Sequence, residues 1–183
     1  MKYSTLRKII INLISAIALV VVQIGFISGL PGYLNTLNLA IIVLLFILVL
    51  GGLKLTFFWL IGIGFLFDLF SFQNFGIYLI TFSLSILAIN FLLTGFFTDR
   101  SLYSFLALTF FATVFYELFM KTILYIFKLF VHENGISIFD PHYLKAFTIE
   151  LLINLLTTFI IFHSMNYLGH QLKPVFLVRH KNL

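Results

Sequence analysis

Residues 9–53 read IIINLISAIALVVVQIGFISGLPGYLNTLNLAIIVLLFILVLGGL, a stretch with no Asp, Glu, Lys or Arg. A helix that crosses a bilayer needs about 20 mostly apolar residues. This stretch is long enough for two, and Gly29-Leu30-Pro31-Gly32 divides it. Pro and Gly together are strong turn punctuation. The apolar runs are continuous rather than alternating, unlike the two-residue period of a membrane β-barrel. The reading is therefore two antiparallel spanning helices, near 9–28 and 38–50.

The same reading extends along the chain. Gly51-Gly52 with Lys54 makes a short turn, and a third span runs near 55–70. Ser71-Phe72-Gln73-Asn74 breaks it, and a fourth lies near 75–93. A polar turn at Thr94–Ser101 precedes a fifth near 102–120, whose helical pattern continues towards Phe130. The segment His132–His142, with Asn134-Gly135 and Asp140-Pro141, reads as the largest loop, and a sixth span follows near 146–167. The expected fold class is an all-α integral membrane protein, one transmembrane domain over 1–183 with six helices. The first span has a basic flank, but it is longer than a signal-peptide core and no A-x-A site follows. It reads as a retained helix.

Composition agrees. Of 183 residues, 62% are hydrophobic and only 9% are charged, against roughly 25% in soluble domains. Such a chain could not cover a water-facing surface. This excludes a soluble globular domain, a disordered chain and a nucleic-acid binder. The absence of Cys excludes disulfides, thiolate metal sites and Cys nucleophiles.

Charge position sets the expected orientation. Lys2, Arg7, Lys8, Lys54, Arg100, Lys173, Arg179 and Lys181 fall on one side of a six-span arrangement. On the other side, Lys128 and Lys145 flank the last loop, offset by Glu133 and Asp140. Both termini are thus expected in the cytoplasm. The net charge of +5 then reflects topology and headgroup contact rather than nucleic acid.

Ionisable residues within spans are costly and are candidate functional sites by default. Four stand out: Asp68, Glu117, Lys121 and Glu150. At about 1.5 Å per residue, all four lie at similar depths in the outer half of the bilayer. Glu117 and Lys121 are i, i+4 neighbours and are expected to pair directly. Asp68 and Glu150 are placed to join them through Lys121. Asn154, Thr157 and Thr158 extend the Glu150 side as a polar stripe, which in membrane helices usually hydrogen-bonds to neighbouring helices. Asn12 and Gln23 read the same way. The bland alternative for Glu117–Lys121 is a self-satisfied pair near a helix end.

Searches for chemistry return nothing. There is no GxSxG elbow and no P-loop. His132-Glu133 lacks the second His of a zinc-protease motif, and no cofactor or metal is expected. No nucleophile accompanies the carboxylates, so an enzyme is not expected.

One segment is more specific: Gly64-Phe65-Leu66-Phe67-Asp68-Leu69-Phe70-Ser71-Phe72-Gln73-Asn74-Phe75-Gly76. Gly64 allows a close helix approach. Asp68 and Ser71 are acceptors at a helix break, where the next helix exposes unpaired N–H groups. Gly76 permits tight packing of that helix. The reading is a rigid corner held by an anionic cap. With the basic N-terminus and Pro31 in the first loop, this segment resembles the MreD family of bacterial rod-shape-determining membrane proteins. Glu117, Lys121 and Glu150 belong to no pattern carried over from that family.

The resemblance implies a non-enzymatic scaffold in the bacterial cytoplasmic membrane, with a fold related to the substrate-binding subunits of vitamin transporters. Such proteins bind the single-pass protein MreC. Together they link MreB filaments to the RodA glycosyltransferase and a penicillin-binding transpeptidase. The competing reading is a transporter subunit that captures a small solute in its outer half. A closed outer pocket would favour transport, and a shallow lipid-facing groove would favour a scaffold.

Overall fold

A computed structural model describes residues 2–71, 73–97, 101–131 and 141–171. Most of the 132–142 loop lies outside the described residues, as do Arg100, Lys173, Arg179 and Lys181. The described residues form six α-helices: α1 (Lys2–Val21), α2 (Leu39–Gly51), α3 (Leu53–Phe70), α4 (Ile77–Gly95), α5 (Leu102–Val131) and α6 (Pro141–Gln171). No strand occurs among them. Five helices are long and apolar enough to cross a membrane, over Ile10–Gly29, Leu53–Phe70, Ile77–Gly95, Leu102–Phe127 and Tyr143–Tyr167. Helix α5 has 30 residues, about 45 Å at the usual rise, so the pattern beyond Met120 is indeed helical.

The second expected span differs from the rest. Helix α2 has 13 residues, about 20 Å, against about 30 Å of hydrocarbon. It is also the most enclosed element. Ala40, Ile41, Leu44 and Leu45 are fully buried, and α2 packs on each of the other five helices. A helix apolar all round is what a central position requires.

Lipid is as apolar as Leu, so burying Leu on Leu gains little in a bilayer. Packing and satisfied backbone groups must hold α2 in place. Its N-terminus is hydrogen-bonded accordingly. Asn38 caps it, with the Ile41 N–H donating to Asn38 Oδ1 (3.2 Å). The Leu39 N–H donates to Gln23 Oε1 (2.8 Å). Gln23 Nε2 donates to the Leu37 carbonyl (2.7 Å). Gln23 lies in a π-helical turn, Val22–Phe26, that ends the first long helix. Such wide turns are rare and tend to mark special positions; this one carries a buried glutamine onto the neighbouring helix start.

The outer faces of the bundle carry large apolar side chains. Ile14 and Val21 of α1, Ile61 of α3, Phe91 of α4 and Leu156 of α6 are all more than half exposed. This is the surface a bilayer would cover.

Candidate functional site

The Asp68 corner is built from Gly64, Asp68 and Gly76 of the segment quoted above. Asp68 is buried near the end of α3. Its two carboxylate oxygens each accept from α4: the Tyr78 N–H donates to Oδ1 (2.9 Å) and the Leu79 N–H to Oδ2 (3.2 Å). These are second- and third-position N–H groups of α4, which lack partners within their own helix. The residue that should cap them is Gly76, which has no side chain. Asp68 therefore caps α4 from the preceding helix, with its charge at the positive end of the helix dipole.

Each glycine has its own reason. A Cβ on Gly64 would stand 2.9 Å from the Leu79 Cα and 3.3 Å from its Cβ. Only glycine lets α3 approach the α4 backbone so closely, and that approach brings Asp68 onto the Tyr78 and Leu79 amides. Gly76 corrects the sequence reading. Nothing lies within 4 Å of its Cβ position, so tight packing is not its role. Its φ is +95°, a left-handed conformation that favours glycine. Ser71 is a second correction. Its backbone N–H closes α3 on the Phe67 carbonyl (2.8 Å). Its buried Oγ has no partner among the described residues, so it caps nothing there.

The acidic end of α5 and α6 is arranged differently. The Tyr143 hydroxyl donates to Glu117 Oε2 (2.6 Å). The Lys121 ammonium lies over the ring of the same tyrosine, a cation–π arrangement. The i, i+4 pair expected to meet directly is thus bridged through Tyr143 of α6. Glu150, further along α6, is partly buried and faces the Glu117 charge. Asp68 does not join this group through Lys121, since both its oxygens are on α4. Between the two places stands an aromatic layer. Phe67 packs edge-on to Phe82 (5.5 Å), and Phe82 stacks on Tyr116 (5.3 Å).

One turn further into α5 and α6 runs a buried polar seam. Asn154 is fully buried. Its Oδ1 accepts from the Asn38 N–H (3.0 Å), and its Nδ2 donates to Thr113 Oγ1 (3.2 Å). The Thr109 and Thr158 hydroxyls share a hydrogen bond (3.0 Å). Asn154 and Thr158 thus bond across helices as the stripe implied, and Gln23 does the same from the π-helical turn after α1. Asn12 is only partly buried. Thr109, Thr113 and the capping role of Asn38 were not singled out in the sequence. An Asn just before an apolar helical run is the signal that could have found Asn38. Threonines are too common in membrane helices to stand out.

No family model, curated protein or solved structure matches this chain.

The three places have different chemical capacities. The corner uses its charge on main-chain donors, with both Asp68 carboxylate oxygens bonded. The seam is an internally satisfied network. The α5–α6 end keeps partly buried Glu117, Lys121, Tyr143 and Glu150 together, with ionisable groups for a partner or ligand to meet. No group of three or more His, Cys, Asp and Glu suited to a metal occurs among the described residues.

Proposed function

We propose that this chain is a non-enzymatic membrane scaffold of the MreD type, acting in bacterial cell elongation. On this reading it crosses the cytoplasmic membrane six times, with α2 and the turn before it as the second crossing and both termini in the cytoplasm. It receives the transmembrane segment of MreC, and through MreC it couples MreB filaments to RodA and its transpeptidase partner. The observation that carries the reading is the corner. The residues behind the resemblance work as one joint, with Gly64 against Leu79 and Asp68 on the Tyr78 and Leu79 amides.

A further feature supports a scaffold over the solute-capturing transporter subunit: the buried polar groups of the seam bond to one another. The corner fixes the helix arrangement that MreC meets, and the α5–α6 end supplies an adjustable surface beside it. The test is co-purification with tagged MreC from rod-shaped cells depleted of their own MreD. Asp68→Ala and Glu117→Ala should each reduce MreC recovery and round the cells. Unchanged recovery and unchanged rods with both variants would overturn the assignment.

A further inference from the structure

Helix α2 begins well inside the bundle. The residues at its start are bonded to Gln23 of the first crossing and to Asn154 of α6. Gln23 lies six residues before Gly29, where the first span ends, and Asn154 lies eleven residues after Tyr143, where the last span begins. At about 1.5 Å per residue these are depths of roughly 9 and 16 Å from the same end of the bundle. The 13 residues of α2 cover about 20 Å of the roughly 30 Å hydrocarbon core. The missing length, about 10 Å, is therefore on the N-terminal side of α2, and residues 30–38 fill it without an α-helix.

This segment enters the bundle uncovered. Leu30 and Pro31 are extended, and Gly32–Thr36 form a 3₁₀ turn that packs on α6. Every residue from Pro31 to Asn35 is exposed. Non-helical backbone at membrane depth occurs only where protein covers it or where it lines a water-filled cavity. Protein cover is missing here, which leaves water.

The facing wall points the same way. Tyr143, Glu150, Asn154 and Thr158 recur at helical spacing and share one face of α6, while Leu152, Leu156 and Phe159 are exposed on the other. Along the inward face, Tyr143 and Glu150 are partly exposed, whereas Asn154 and Thr158 are fully buried. Helix α5 repeats the pattern, with Glu117 and Lys121 partly exposed and Thr113 and Thr109 buried. Exposure that runs down the inward faces of two helices and ends at one level is that of an open-mouthed recess. Ionisable groups within spans face the bundle interior or a water-filled cavity rather than lipid.

We infer that residues 30–38 and the α5–α6 end enclose a water-filled vestibule, which enters where α6 begins and stops at the bond between Asn38 and Asn154. Asn154 and the Thr113 hydroxyl it holds form the floor, and the buried start of α2 closes the path below. Glu117 and Glu150 thus meet water and small hydrophilic solutes from one side of the membrane alone. The vestibule is independent of the scaffold reading. Only its assignment to the outer side rests on the orientation proposed above.

The sequence has no Cys, so single introduced cysteines test the vestibule without background. The probe is the membrane-impermeant trimethylammonium-ethyl methanethiosulfonate, applied to spheroplasts and to inside-out vesicles. Glu150→Cys and Thr36→Cys should react in spheroplasts. Each should react at least about tenfold faster than Leu152→Cys, whose thiol faces hydrocarbon, where the reactive thiolate does not form. Thr158→Cys, below the floor, should react from neither side. Thr36→Cys is a small change on the opposite wall, so it decides the matter even if Glu150→Cys folds poorly. A folded Glu150→Cys or a Thr36→Cys no faster than Leu152→Cys from either side would overturn the proposal, and so would reaction of Thr158→Cys. Reaction of Glu150→Cys and Thr36→Cys in inside-out vesicles alone would uphold the vestibule and overturn the proposed orientation.

Discussion

Asp68 and Glu117 are both carboxylates on helices of membrane-crossing length, and they are satisfied in opposite ways. Asp68 is bonded to two consecutive backbone N–H groups of α4, whose positions are set by the helix itself. Glu117 is bonded to the hydroxyl of one side chain, Tyr143, which a rotamer change can withdraw. Gly64 reinforces the first case, because the two backbones already touch where the carboxylate binds. Nothing comparable holds α5 to α6 at Glu117. The corner is therefore a fixed joint and the α5–α6 end an adjustable one. The proposed scaffold role would use both, a rigid frame and a surface that can re-form around a partner.

The largest effect that could break this comparison is at Asp68 itself. Asp68→Ala leaves the Tyr78 and Leu79 N–H groups without their acceptor in a buried place. It should cost about 3 kcal/mol of stability, read from denaturant unfolding in detergent. A loss below about 1 kcal/mol would mean that α4 is not held by this cap. Gly64→Ala comes next. Its Cβ meets the Leu79 backbone rather than a movable side-chain tip, so α3 and α4 must separate, at about 2 kcal/mol. The smallest effect is Tyr143→Phe, which removes only the bond to Glu117. Interhelical hydrogen bonds in membranes average about 0.6 kcal/mol, so its melting temperature should stay close to that of the wild type.

Much of the corner was legible because its devices are local and rare. A lone Asp in an apolar run, with a Gly one turn before it and a Gly after the break, states its own purpose. The roles of Ser71 and Gly76 were misread because spacing shows neither a side chain's direction nor a φ angle. The central place of α2 was not legible. A helix apolar on every side has no stripe to say which neighbours it meets, and its 13 residues show up as short only once its ends are seen. The bridged state of Glu117 and Lys121 was hidden for a different reason. The i, i+4 rule describes an isolated helix face, and Tyr143 reaches that face from a helix distant in sequence. The seam was half visible: Asn154 and Gln23 are conspicuous in apolar runs, whereas their partners are backbone amides and ordinary threonines.

Asp68 binds main chain in a fixed joint, and Glu117 binds a side chain in an adjustable one. Isosteric replacement tests it most directly, by comparing the unfolding free energies of Asp68→Asn and Glu117→Gln in the same detergent. An asparagine turns an N–H₂ group towards one of the two α4 amides, whereas a glutamine keeps an oxygen for the Tyr143 hydroxyl. Asp68→Asn should lose at least about 1 kcal/mol more than Glu117→Gln. Equal losses, or a larger loss for Glu117→Gln, would contradict it.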